Sequence, residues 1–170
     1  MTLLIRDATE ADLPSVLDIF NHAVRNTTAV FSDTEADLDG RRAWMLERQG
    51  KSYPVLVAVQ GEAVLGFASF GDFRSFPGYR LSVEHSVYVD PAVHRSGVGR
   101  ALMLALIDRA RLLGKHVIIG GIDAGNAGSL AMHTALGFRE TARMPQVAAK
   151  FGRWLDLVFM QLTLDDRPHP

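Results

Sequence analysis

Apolar residues recur in two rhythms along this chain, and the switches between them predict its elements. Residues 3–6 form a short apolar run, read as a strand. Leu13, Val16, Leu17, Phe20 and Val24 then keep helical spacing, so a helix is predicted through Val24 with that face in the core. Thr9 and Asp12 provide a capping-box-like start, with Asp in place of Glu, and Pro14 lies in the first turn, where its missing N–H costs little. Asn26, Thr27 and Thr28 break the pattern. A second helix follows at about 39–49, and its Trp44 is read as a packing residue because an indole buries so much area.

Residues 53–59 and 63–70, rich in Val, Leu, Ala and Phe, predict a hairpin turning near Gly61. A loop over 71–78 leads to a strand at 82–90. A helix at about 98–113 ends at Gly114, its expected C-cap. A buried strand at 117–122, a helix at 127–136 stopped by Gly137, and a last strand at 154–164 complete the reading. Strands interleaved with helices imply an α/β fold, a mixed sheet with helices on both faces.

The chain of 170 residues is 48% apolar and has no linker-like stretch, so one domain over 1–164 with a frayed tail at 165–170 is expected. A net charge of −1 provides no general basic field, so neither nucleic acid nor an anionic membrane is an expected partner. The absence of cysteine excludes disulfides, a Cys nucleophile and thiolate metal sites, and no metal site is expected. Charge at Arg6 and Asp7 comes too early for a secretory segment, and no apolar run is long enough to span a bilayer. A soluble, cytoplasmic protein is therefore expected.

The most informative stretch runs from Val87 to Leu102, where an alternating strand meets two glycines and then an amphipathic helix. Gly97 and Gly99 let the backbone approach a ligand, and the helix start offers unpaired N–H groups and a positive dipole end. Two such glycines also occur in plain strand-to-helix turns. A dinucleotide fingerprint would need a third glycine where Leu102 stands, and no nucleoside triphosphate loop is present. His94, Gly97 and Gly99 resemble the Gln/Arg-x-x-Gly-x-Gly/Ala acetyl-CoA loop of the GNAT N-acetyltransferases, with His94 in the place of Gln or Arg. A second stretch, Asn126 to Phe138, resembles that superfamily's other signature, Asn-x-x-Ser/Ala-x-x-x-Tyr-x-x-x-Gly-Phe.

The resemblance implies the GNAT fold, with a mixed, mostly antiparallel twisted sheet, and acetyl-CoA as co-substrate. It implies cofactor contacts from Val87, Tyr88 and Val89, from His94, Arg95, Ser96, Gly97, Val98, Gly99 and Arg100, and from Asn126 and Ser129. A backbone N–H of the 87–89 segment would steady the thioester oxygen. Asn126 is also simply a good N-cap. His133 stands in the slot of the tyrosine that protonates the departing thiolate, and a histidine could donate that proton or position the amine. Elsewhere it would be read as a helix-face histidine bonded to a backbone carbonyl. Glu84 is the candidate base, since an amine must be neutral to attack a thioester, and partial desolvation would lift its carboxyl above the ordinary ~4.3. A solvated strand charge or an ion pair with Arg80 is the plainer reading. Strand alternation puts Glu84, Ser86 and Tyr88 on one face and His85, Val87 and Val89 on the other, so His85, the second candidate base, faces away from Glu84.

Three segments, 84–89, 132–138 and 146–157, are similar to the phosphinothricin and methionine sulfoximine (or sulfone) N-acetyltransferases, with Ala148 where that group commonly has Gly. This implies a small amino-acid substrate, a homodimer and substrate contacts from Arg74, Ser75, Phe76, Arg80, Glu84 and His133. Two arginines suit a carboxylate and a tetrahedral polar head, and Phe76 could wall an aliphatic chain. Hydroxyls near Asn26, Thr27 and Thr28 could add contacts. A peptide N-terminus, a polyamine or an aminoglycoside remains an alternative acceptor, although the last two would want an acidic pocket. A CoA-binding sensor without turnover and a structural interaction domain are the alternatives from other classes.

Overall fold

The computed structural model describes residues 2–93 and 96–170; the expected cofactor residues His94 and Arg95 lie outside that range. In chain order the elements are β1 (Leu4–Asp7), α1 (Leu13–Asn26), α2 (Leu38–Gly50), β2 (Val55–Gln60), β3 (Ala63–Asp72), β4 (Ser82–Val89), α3 (Val98–Leu112), β5 (Val117–Asp123), α4 (Ala127–Ala135), β6 (Arg139–Lys150) and β7 (Arg153–Thr163). The strands form one sheet in the order β1-β2-β3-β4-β5-β7-β6. Every pairing is antiparallel except β4 with β5. This is the mixed sheet that the chain's alternating elements imply. Among the described residues no helix is long and apolar enough to cross a membrane.

Two cores follow from strand alternation. Leu56 and Ala58 of β2 join Leu102, Met103 and Leu106 of α3 on one face of the sheet. Val55, Val57 and Val59 join Leu13, Val16 and Ile19 of α1 and Met45 of α2 on the other. With both faces covered, β2 is buried almost throughout, which explains its unbroken apolar run. Trp44 packs edge-on against Phe67, as its size suggests.

The expected capping box of Thr9 and Asp12 is present at the start of the first helix. A short 3₁₀ turn over Glu10–Asp12 precedes α1. The Asp12 carboxylate accepts from the Thr9 N–H at 2.7 Å and hydroxyl at 2.9 Å, and from both terminal nitrogens of Arg6 at 2.8 Å. Arg6 and these donors hold the buried Asp12 carboxyl down at about 2.

Strand β6 has no counterpart in the sequence reading. Almost all of it is exposed, so no apolar face marks it, and Pro145 lies within it, which suits only an edge strand. Two register irregularities against β7 blur its period further. The turn into β7 uses Phe151 and Gly152, both at positive φ (52° and 71°), as a two-residue hairpin requires. Past β7, His116 Nδ1 lies 2.8 Å from Asp165, and the Arg167 guanidinium donates to the Gly114 carbonyl at 2.8 Å.

Candidate active site

The sheet forks beside β4. This strand pairs with β3 along its whole length but with β5 only over residues 82–84, opposite 117–119. Beyond that point β5 continues with β7 alone, and a cavity of about 520 Å³ opens beside residues 87–89. Every expected cofactor residue within the described range, 87–89, 96–100, Asn126 and Ser129, lines this one cavity. Ile19, His22 and Ala23 of α1 line it as well, so the opening passes through the sheet to its other face.

The helix start beneath the cavity is shaped by its glycines in two different ways. Gly97 is the N-cap of α3 at φ +85°, a left-handed conformation that costs other residues about 1 kcal/mol or more. A Cβ there would meet nothing within 4 Å, so its contribution is conformational. A Cβ at Gly99 would instead touch Val89 and Met132, both in the cavity lining, at 3.4 and 3.5 Å. The first i to i−4 bond runs from the Ala101 N–H to the Gly97 carbonyl. The N–H groups of residues 98–100 therefore have no carbonyl within the helix, and no acidic side chain in the first turn competes for them. Asn126 caps α4, its Oδ1 accepting from the Ser129 N–H at 3.1 Å.

Glu84 and His85 are the last paired and first unpaired residues of β4 on the β5 side, and they point to opposite faces. Two adjacent glycines of β5 make room for them. An added Cβ on Gly121 would lie 3.0 Å from Glu84 Oε1, and one on Gly120 would lie 2.5 Å from His85 Nε2. Glu84 is half-buried, and desolvation raises its carboxyl above the ordinary value, with Arg74 drawing it partly back. Arg74, not Arg80, is thus the cation that acts on it; among the described residues no ion pair joins Glu84 to Arg80.

Arg74, Ser75, Phe76 and Arg80 lie on the exposed loop between β3 and β4, outside the cavity lining. Arg74 stacks on Phe73, its guanidinium carbon 4.3 Å from the ring centroid, and Phe73 packs edge-on against Phe159 and Tyr79. Phe76 is 74% exposed and walls nothing in this chain alone.

His133 is buried, and both of its ring nitrogens are engaged. Nδ1 lies 2.7 Å from the Ser129 carbonyl oxygen and Nε2 lies 3.0 Å from His85 Nε2. Desolvation lowers its pKa, so the ring is neutral at pH 7. In this arrangement both ring nitrogens face protein partners, Ser129 and His85.

The chain matches the acetyltransferase (GNAT) family model over residues 16–138. It belongs to that family. L-Methionine sulfoximine/L-methionine sulfone acetyltransferase of Salmonella typhimurium is 53% identical over 168 residues, covering 99% of this chain and 98% of the relative. Phosphinothricin N-acetyltransferase of Alcaligenes faecalis is 36% identical over 162 residues, covering 95% and 82%. An acetyltransferase of Salmonella typhimurium solved with its cofactor acetyl-CoA matches with a TM-score of 0.98 and 52% identity, over 100% of this chain and 98% of that one.

Two buried polar residues that brace the segments around this acetyltransferase's cavities escape sequence reading. Asp123 is buried and accepts from the Gly125 N–H at 3.1 Å and from the Thr28 hydroxyl, which ties the segment after α1 to the end of β5. Lys150 is buried and donates to the carbonyls of Thr27 and Val30 at 2.8 and 2.7 Å. The polar residues at 27–28, expected to meet substrate, are thus used first to hold that segment in place. A smaller cavity of about 100 Å³, lined by Ser86, Gly121, Asp123 and His133 among others, adjoins the fork. Only the glycine pair in β5 could have signalled this crowding, since glycine inside a strand often marks a close approach.

Proposed function

We propose that this chain transfers an acetyl group from acetyl-CoA to the α-amine of a small amino acid of the methionine sulfoximine, methionine sulfone or phosphinothricin kind. The observation that carries this reading is the half-buried Glu84 carboxylate at the fork of β4 and β5, beside a cavity that ends on the start of α3. The acetyltransferases of this chemistry to which the chain is similar support it, as does the acetyl-CoA bound by its structural relative.

Acetyl-CoA supplies the acetyl group as a thioester open to attack by an amine. The N–H groups of residues 98–100 and the dipole of α3 suit its diphosphate. Asn126 and Ser129 flank the pantetheine arm, and an N–H of the 87–89 segment steadies the negative charge that gathers on the thioester oxygen. Glu84 takes the proton from the substrate ammonium, directly or through water, and its raised carboxyl pKa brings it nearer the working range. Arg74 and Arg80 face the substrate carboxylate and polar head, with Ser75 and Phe76 beside them, and His133 backs the wall of the small cavity. Without cysteine the simplest scheme is direct attack with both substrates bound.

A thiol-release assay over a panel of amines tests the substrate class. Turnover of methionine sulfone with little or none of spermidine is expected, because two arginines repel a polycation. Preference for the polyamine overturns the assignment, and thiol release with no amine in the panel would favour neither acceptor and sink it too.

The protein works in the cytoplasm, where acetyl-CoA is at hand, and as a homodimer. The exposed apolar side chains Met144, Val147 and Trp154 on the β6–β7 edge support pairing of two copies. Light scattering at twice the chain mass is expected; a monomer at micromolar concentration refutes the dimer.

A further inference from the structure

His85 lies on the sheet face that meets α3 and α4, over Gly120, at the point where β4 and β5 part. Its ring is buried and stacks on His133 with centroids 5.0 Å apart and planes 15° from parallel. Phe138 closes edge-on against both rings, at 5.8 and 5.0 Å. Two buried imidazoles joined nitrogen to nitrogen are not needed for packing, which an apolar pair would serve at lower cost.

Their hydrogens can be assigned from their partners. The Ser129 carbonyl oxygen can only accept, so His133 Nδ1, 2.7 Å away, carries a hydrogen. A neutral ring has one N–H, which leaves His133 Nε2 a lone pair. His85 Nε2, 3.0 Å from it, must therefore be the donor. His85 Nδ1 is then a lone pair too, buried and without a partner among the described residues. Burial, and the neighbouring His133, hold the His85 pKa down at about 3, in keeping with this neutral state. A proton added to His133 would set N–H against N–H.

We propose that His85 is a positioning residue for acetyl transfer: its Nε2–H satisfies the lone pair that the Ser129 bond leaves on His133 Nε2, and the pair clamps the first turn of α4 to β4 across the fork of the sheet. The chain of bonds runs from His85, one residue beyond the last β4–β5 pair, to His133 and on to the carbonyl of Ser129. Ser129 and Asn126 line one wall of the large cavity, and residues 87–89, which follow His85 and Ser86 on the same strand, line the facing wall. The clamp thus sets the gap in which the thioester is held. Gly120 is part of the same device, because any side chain there would displace the His85 ring. This inference rests on the function proposed above, but its first test does not.

That test is the ¹⁵N–¹H correlation spectrum of the histidines in the wild-type protein. His133 as the Nδ1–H tautomer and His85 as the Nε2–H tautomer are expected; His133 as the Nε2–H tautomer overturns the clamp. The second test compares His85→Leu, which keeps most of the volume without a donor, with His85→Gln, whose amide N–H can reach the same acceptor. His85→Leu is expected to raise KM for acetyl-CoA about tenfold, the worth of one hydrogen bond, to leave KM for the amine within about twofold, and to shift the His133 Nε2 resonance by removing its donor. His85→Gln is expected to recover most of both. Equal KM values for Leu and Gln variants overturn the proposal. Should neither variant fold, the wild-type spectrum alone decides. If no amine is acetylated, the functional assignment fails while the tautomer result still stands or falls separately.

Discussion

Replacing Glu84 with Gln is expected to lower kcat about a hundredfold or more at neutral pH, the usual worth of a positioned general base, while the affinity for acetyl-CoA stays nearly the same. The separation follows from geometry, because Glu84 lies outside the lining of the large cavity. The pH dependence has a definite sign. Glu84 is raised above its ordinary carboxyl value by burial, so the base is lost by protonation as pH falls through that raised value and is fully present above it. Wild-type kcat/KM should therefore climb with pH along an acid limb that Glu84→Gln lacks. The deficit of the variant should narrow at alkaline pH, where solvent itself delivers the free amine. Initial rates of thiol release across pH check this, and a variant with wild-type rates and the same acid limb removes Glu84 as the base.

Gly120→Ala is expected to be the most damaging single change in β5. Its Cβ would fall 2.5 Å from His85 Nε2 and 3.3 Å from His133 Nε2, inside a buried cluster closed by Phe138. Overpacking of this kind costs about 1–3 kcal/mol, and the enclosed rings put it at the upper end. The neighbouring Gly121→Ala meets Glu84 Oε1 at 3.0 Å, an end of a half-buried side chain that can move, so its stability loss should be smaller and its effect on turnover larger. Urea unfolding of the two variants, paired with their turnover, gives the comparison. Equal stability for Gly120→Ala and wild type would mean that the histidine pair is not tightly held.

These two glycines mark where sequence reading stops. Residues 117–122 look like one more buried strand, and nothing local says that Gly120 and Gly121 clear space for side chains of a different strand. Alternation along β4 was legible, so the opposed directions of Glu84 and His85 were too. The partner of His85 was not, because His133 is 48 residues away and meets it only once α4 packs on the sheet. Helix punctuation was readable at Asn126, Gly114 and Gly137, where capping chemistry is local. The two cradle glycines looked equivalent in sequence, whereas Gly97 serves a left-handed φ and Gly99 keeps a Cβ away from Val89 and Met132. Strand β6 was invisible because a solvated edge strand with a proline and two irregularities carries no period to read. Arg74 and Arg80 lie on a solvent-exposed loop, and among the described residues Arg74 stacks on its own neighbour Phe73 and acts on Glu84 through its charge.

A crystal structure of the protein with CoA and methionine sulfone tests the account most directly. The diphosphate is expected on the N–H groups of residues 98–100, the sulfur beside residues 87–89, and the α-amine within one water of Glu84. A diphosphate bound elsewhere, or an amine on the His85 face of the sheet, would contradict it.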